Sequence, residues 1–571
     1  MKNNDYQYAI AISLLLLAGR AVALNFPGIR LWGVDIFAYW PHPISYAYLI
    51  LIAAVVFLLG KFGIATEPKT TAETGKVRKD LSWVLAIVGL LLLFRLFSDS
   101  ANLLGDGPLR IQEIEKKGFY RFFIDTISEP LDYAIHHLSY RYIFKPLGMN
   151  AVDCFRFWSY LAGVLYFYSA WILAGKLRRF GAEKWLTLCY MFGWGGVMMF
   201  FGYAENYALA AAFSLLTVCL LIDHAQTGKR LNLSLLFFLL AFFMHNLAVV
   251  LLPLILYQAR NRLLSGKFVT ESLPVLITLI VTVGYTIFVQ VNKETSSLLI
   301  SSGRSDPEYT VFSLPHLIDL GNLLFLVLPV SMLLIGFQRL KISDEKLRGM
   351  RIGLWLSTLF AVALVILIDP RLGMAKDWDL FALLLLIPHI SLFLGIDWHG
   401  RSKRFKLIVA VLSLALVSPW IILNSSLAAS RQRYWNIAAL DPARAWYNYE
   451  VLGEHYYYAK DLPLAEKAYS LAVTYKDHPR LFLWLGYVQM EQGKYREAEV
   501  NFKETLRLKP DDVYAMNYLA NILNRQRRYF EAREYLQKYA ATAMGRNDKL
   551  VIPSIKILDS LIAAQPDSTN R

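Results

Sequence analysis

Long apolar runs recur along the first three quarters of this chain, separated by short charged interruptions. They fall at roughly 8–25, 43–60, 81–98, 155–175, 185–201, 206–222, 273–291, 320–337, 352–368, 379–396 and 405–424. Each has about the length, 17–25 residues, that a helix needs to cross a hydrocarbon layer. The stretch Leu231 to Tyr257 is longer, with Lys229 and Arg230 before it and Arg260, Arg262 and Lys267 after it. Cations collect on the cytoplasmic side of membrane helices. Both ends therefore ask for the same side, and the stretch reads as a hairpin turning at His245-Asn246. The pattern predicts an all-α, polytopic transmembrane helix bundle of about thirteen spans. Lys61 to Lys79, Lys176 to Lys184, Arg339 to Arg351 and Arg401 to Lys406 then share the cytoplasmic side with the N-terminus. Loop 99–153, the Tyr203-Ala204-Glu205-Asn206 turn, the His245 turn, 292–319 and 369–379 are left outside.

After Asn424 the long apolar runs stop, and charged residues, Tyr and Ala take over. Leu452-Gly453, Leu485-Gly486 and Leu519-Ala520 recur at spacings of 33 and 34 residues. Each pair is followed by Ala465, Ala498 or Ala532, then by Tyr469, Phe502 or Leu536, and Pro510 closes the middle unit. This resembles the tetratricopeptide repeat, whose small residues let two antiparallel helices pack closely. Three such units imply a soluble α-solenoid that grips a protein or peptide, or else a rigid spacer. Residues 547–564 read as a capping helix. The expected domains are two N-terminal spans with a cytoplasmic loop (1–80), a membrane core (81–424), a linker (425–445) and the repeat domain (446–571).

Composition agrees with a membrane chain: of 571 residues, 56% are hydrophobic and only 18% charged, so lipid must be the solvent for most of it. The net charge of +15 sits in clusters between apolar runs, which orients spans and argues against a nucleic-acid surface. Cys154, Cys189 and Cys219 lie in or beside apolar segments and suggest neither a disulfide framework nor a metal site. The first apolar run lacks a small-residue cleavage site and reads as a retained span.

The candidate chemistry gathers on the outside face. Asp106, between Gly105 and Gly107, stands just past the 81–98 run and opens the longest outside loop. A carboxylate held there can act as a base on a group that arrives with a lipid. Further along, Glu129-Pro130 opens an amphipathic helix. Leu131, Ile135, Leu138 and Tyr142 form its apolar face, and Asp132, His136 and Arg141 its polar one. His136 and His137 read as loop packing. Glu205 and Asn206 sit where a span begins, where a carboxylate is costly unless used or paired; a helix cap or an interhelical hydrogen bond explains them equally well. His245 carries the same two readings. The segment Asp369 to Asp379 packs two cations and three carboxylates into eleven residues. Arg371 and Lys376 suit a phosphate or pyrophosphate. Asp377 suits either holding one of them in place or, with Trp378 and Asp379, a hydroxyl-rich ligand. A merely solvated loop has the same composition.

Taken together, these features resemble the GT-C class of integral-membrane glycosyltransferases, and with the repeats they look most like the TMTC-type protein O-mannosyltransferases. The resemblance covers about 81–424 by architecture and 445–540 by repeat signature. It implies transfer of a sugar from a polyprenyl-phosphate donor to an acceptor hydroxyl, on a protein recruited by the repeats. Asp106 matches the family's catalytic base. Arg371 and Lys376 would hold the donor phosphate, with Glu129, Asp132, Glu205, Asn206, His245, Asp377, Trp378 and Asp379 around the substrates and Glu129 and Asp132 as alternative bases. The partners implied are membrane lipid, the polyprenyl-phosphate sugar and a protein, with no cofactor, no divalent metal and no nucleic acid. The expected location is a bacterial inner membrane with a periplasmic C-terminal domain, or its topological equivalent, the endoplasmic-reticulum lumen. Two departures stand: two spans, not one, precede the loop, and a single Asp replaces the family's common acidic pair. The rival readings are a lipid-carrier transporter or flippase, which needs mid-membrane charges beyond Arg20 and Arg95, and a membrane-anchored repeat scaffold without catalysis.

Overall fold

The computed structural model describes residues 4–62, 76–116, 128–263, 272–292, 299–300, 308–338 and 345–564. These residues are helical apart from loops and one isolated antiparallel bridge, Leu299 to Ile368. The chain divides into two units, 1–437 and 438–571.

In the first unit the helix Tyr207–Thr227 lies at the centre. It packs on Leu231–Met244, Ala151–Leu177 and Glu345–Leu367. Ala208, Ala210, Ala211 and Ala212 are all buried there, and such small side chains let helix backbones approach closely. The outer helices present apolar side chains outward, among them Leu15, Ile50, Ile280 and Leu359. Water opposes such a surface, and hydrocarbon accepts it.

Among the described residues six helices are long and apolar enough to cross a membrane: Asp5–Ala23, His42–Phe62, Ala151–Phe180, Tyr207–Thr227, Arg348–Leu367 and Lys403–Ser425. This corrects the expectation of about thirteen spans. Several apolar runs fold as broken or shorter helices. Run 185–201 splits into Lys184–Met191 and the 3-10 segment Gly195–Phe200, because Gly193, Gly195 and Gly196 interrupt it. Run 320–337 stops at Val327 before Pro329 and resumes as the short helix Ser331–Ile335. The 231–257 stretch breaks at His245 between Leu231–Met244 and a 3-10 turn leading into Leu252–Leu263. Arg262 then donates to Asn232 Oδ1 at 3.2 Å and to the Gly228 carbonyl at 3.3 Å, so the chain returns to where the stretch began.

An ion pair with a buried carboxylate ties the N-terminal loop to the helix Leu314–Val327. Arg30 Nε and Nη2 both donate to Asp319, at 2.9 and 2.7 Å, joined by Trp32 Nε1 at 2.8 Å and the Tyr309 hydroxyl at 3.0 Å. Gly33 lies so close to the Asn322 backbone that a Cβ would overlap it. Residues 427–438, part of the expected linker, form a helix instead. Arg433 and Tyr434 from that helix are buried, with the Arg433 guanidinium 4.7 Å over the Trp420 ring.

The second unit holds three helix pairs: Pro442–Tyr458 with Leu462–Tyr475, Pro479–Glu491 with Tyr495–Leu508, and Val513–Arg525 with Tyr529–Ala540. The helix Val551–Ala563 packs on the third pair. Gly453 abuts the Tyr469 ring and Gly486 the Phe502 ring, which leaves no room for larger side chains. Lys460, Gly493 and Arg527 turn the chain between partner helices, all with left-handed φ of 63°, 77° and 61°.

Candidate functional site

Four segments distant in sequence meet around Gly105. The helix Lys76–Leu96 ends, and Asp99 anchors the next loop: its N–H donates to the Phe201 carbonyl at 2.7 Å, and Arg156 donates to its carbonyl at 3.0 Å. The loop reaches Gly105, whose N–H donates to the Lys376 carbonyl at 3.0 Å. Gly105 has φ +62°, and a Cβ there would lie 2.6 Å from Asp379 Oδ2 and 2.9 Å from the Tyr203 hydroxyl, and closer still to Glu205 Oε1. Only glycine meets both demands. Asp106 follows at the start of the helix Gly107–Lys116, where its carbonyl accepts from the Arg110 N–H at 3.0 Å. A helix N-terminus favours negative charge.

Asp106 is half-buried, and the groups behind it are more enclosed. Among these, Glu205 is buried, and its Oε1 finds no hydrogen-bond partner among the described residues. Burial, reinforced by Asp379 and Asp106, pushes Glu205 well above the usual carboxylate range. Asp379 accepts from the Tyr203 hydroxyl at 2.9 Å and from the Leu380 N–H at 3.0 Å. Asp377 accepts from the Leu372 N–H at 2.8 Å, closing its own loop, and burial beside Asp106 raises it as well. Lys376 is buried with its Nζ 5.7 Å over the Tyr434 ring. Burial lowers it to about 8 against the opposing pull of Asp106, Asp377, Glu205 and Asp379. Trp378 lies beneath, its ring centre 5.6 Å from Tyr203 and 5.3 Å from Trp420.

Arg110 extends this group towards Glu129. It pairs with Glu129 and also feels Glu205 and Asp106. Asp132 pairs with His136 Nδ1 at 3.1 Å, and the His136 ring stacks on Phe155. His245 sits one step away: its ring lies 4.6 Å from Tyr207 and its Nδ1 accepts from the Leu247 N–H at 3.2 Å, while the Asn246 N–H donates to the Ser128 carbonyl at 3.2 Å. Asn206 stands at the cap position of the Tyr207 helix, but its side chain makes no capping bond, and both its polar atoms are buried with no hydrogen-bond partner among the described residues.

Of the sequence candidates, Asp106, Glu205, Lys376, Asp377, Trp378 and Asp379 are therefore brought together, and Glu129 and Asp132 join through Arg110. Arg371 is exposed while Lys376 is buried, so the two cations occupy different surroundings, and Asp377 holds the loop backbone. Sequence reasoning passed over Tyr203 and Arg110 as site residues. Tyr203 had a visible signal in its place beside Glu205, and Arg110 in its position one helical turn after Asp106. Among the described residues no group of three or more His, Cys, Asp or Glu is arranged to hold a metal ion. Near Asp99, an apolar groove of about 190 Å³ runs between Phe97, Phe201, Val417 and Ile421.

The second unit carries a separate groove of about 650 Å³. Leu483, Trp484 and Tyr487 from the helix Pro479–Glu491 line it, with Tyr514 and Tyr518 from the next pair. Its volume falls in the usual range of ligand pockets, about 300–1,000 Å³.

Comparison with known proteins identifies part of this chain. A family model described as "Tetratricopeptide repeat" matches residues 483–547, within the second unit. The second unit thus carries tetratricopeptide repeats. No curated protein matches the chain. Among solved structures, the yeast Tom70 crystal structure is 12% identical with a TM-score of 0.21, covering 70% of this chain and 97% of that one. The crystal structure of the APC/C hetero-tetramer Cut9-Hcn1 is 14% identical with a TM-score of 0.21, covering 79% and 95%.

Proposed function

We propose that the protein is a membrane-anchored recruiter of another protein, with the repeat unit as its binding part. One observation carries this reading: the aromatic groove lies on the unit whose repeats match the tetratricopeptide family. Stacked helix pairs of this kind present an extended binding surface. The test places a photoreactive side chain either at Tyr514 in the groove or at Lys538 on an outer helix of the full chain in its native membrane. A defined protein adduct from position 514 alone is expected. No adduct, or the same adducts from both positions, would remove the recruiting role.

A second reading rests on a different observation, the buried acid–base group around Gly105. Burying several carboxylates and a lysine together is costly unless they are used. We propose that this group serves glycosyl transfer of the GT-C type at the periplasmic or lumenal face. Asp106 takes the proton of an acceptor hydroxyl as its oxygen bonds to the anomeric carbon, and the bond from that carbon to the lipid phosphate breaks. Lys376 offsets the charge gained by the leaving phosphate. An apolar groove lined by Phe97, Phe201, Val417 and Ile421, in the same unit, supports the reading as a place of the right character for a hydrocarbon tail. Membranes supplied with a radiolabelled polyprenyl-phosphate sugar should show transfer that falls about 10²–10⁴-fold in Asp106→Asn. Equal transfer by the variant would remove Asp106 as the base.

A further inference from the structure

The repeat groove has a specific chemical character. Tyr457, Trp484, Tyr487 and Tyr518 form a continuous ladder of rings: Tyr457 lies 5.7 Å from Trp484 and 5.7 Å from Tyr487, and Tyr487 lies 5.0 Å from Tyr518. The Tyr457 and Tyr487 hydroxyls lie 3.4 Å apart and share one hydrogen bond, and Tyr514 and Tyr518 bring two more hydroxyl-bearing rings to the groove lining. The groove's cations are already matched. Arg480 makes a two-pronged pair with Glu450, at 2.5 and 2.6 Å, and Lys509 pairs with Asp512 at 3.1 Å. Asp511 stands on the same wall. The charge balance thus disfavours an acidic ligand and suits an uncharged one.

We propose that this groove binds an extended, uncharged, proline-containing peptide segment. The proposal rests on the recruiting role of the repeats and names the partner's chemistry. Proline rings pack on aromatic faces, and the polyproline II form is already ordered before binding. Such a segment is rich in carbonyl acceptors and poor in N–H donors, which complements tyrosine hydroxyls that donate.

The full chain in detergent micelles is titrated against three labelled ten-residue peptides: one alternating proline and alanine, one all alanine, and one with each proline replaced by glutamate. The proline peptide should bind at least tenfold tighter than either of the others. Trp484→Leu should weaken it at least tenfold. Tyr518→Phe, which keeps the ring and the packing, should weaken it about threefold through the lost hydroxyl. Lys538→Ala on the outer helix should leave it unchanged. Equal binding of the alanine peptide, preference for the glutamate peptide, binding of none, or full affinity in Tyr518→Phe would each overturn the proposal. The crosslinking result at position 514 stands apart from these titrations, so a failed peptide preference does not by itself remove protein recruitment.

Discussion

At Gly105 a single missing Cβ lets Glu205, Asp379 and Tyr203 close around one backbone atom. Gly105→Ala adds the cost of a left-handed φ, about 1–2 kcal/mol, to direct overlap with two carboxylates. The variant should show a lower unfolding temperature; an unchanged melting curve would refute the close approach. Glu205 gives a pH signature. Because its folded-state pKa is raised, the folded protein binds this proton more tightly than the unfolded chain. The stability linked to Glu205 is therefore present in the ordinary carboxylate range and is lost as pH rises through the folded pKa. Thermal melts of the purified protein between pH 5 and pH 8 should show that fall reduced in Glu205→Gln. An identical pH profile in the variant would exclude the raised pKa.

Among the elements, the repeat helices follow their sequence closely. Spacings of 33 and 34 residues place Gly453, Gly486 and Ala520 where partner helices touch, and the pairs form there. The turns at Lys460, Gly493 and Arg527 share one left-handed conformation, but only Gly493 adopts it without strain. Nothing lies within 4 Å of where a Cβ on Gly493 would sit, so Gly493→Ala isolates the backbone term. It should cost about 1 kcal/mol after the gain from restricting the unfolded chain, readable as a lower urea midpoint for the second unit. Helices of the first unit follow their sequence less well. Hydropathy marks which residues avoid water, but it does not mark where glycines and Pro329 break the helix.

Across the whole first unit, contacts between residues hundreds of positions apart hold the loops. The Arg30–Asp319 pair, with Trp32 and Tyr309 on the same carboxylate, fixes the 26–40 loop to the helix Leu314–Val327. Asp319→Ala removes the acceptor shared by Arg30, Trp32 and Tyr309 and should lower the melting temperature; a melting temperature equal to wild type would show that the latch contributes little. No local pattern announced Asp319, because its value depends on a loop that arrives from the other end of the chain. The same holds for Arg433 and Tyr434, whose charged neighbourhood resembles a linker: Arg433 packs over Trp420 and Tyr434 under Lys376. The sequence by itself determined the helical class, the three repeats and the carboxylates worth watching, since period, spacing and residue type are local properties. Only the tertiary structure decided which of those carboxylates share a site, that Lys376 rather than Arg371 lies among them, and which apolar runs remain whole helices. Close approach, burial and charge–charge coupling depend on segments far apart in the chain, and no local pattern encodes them.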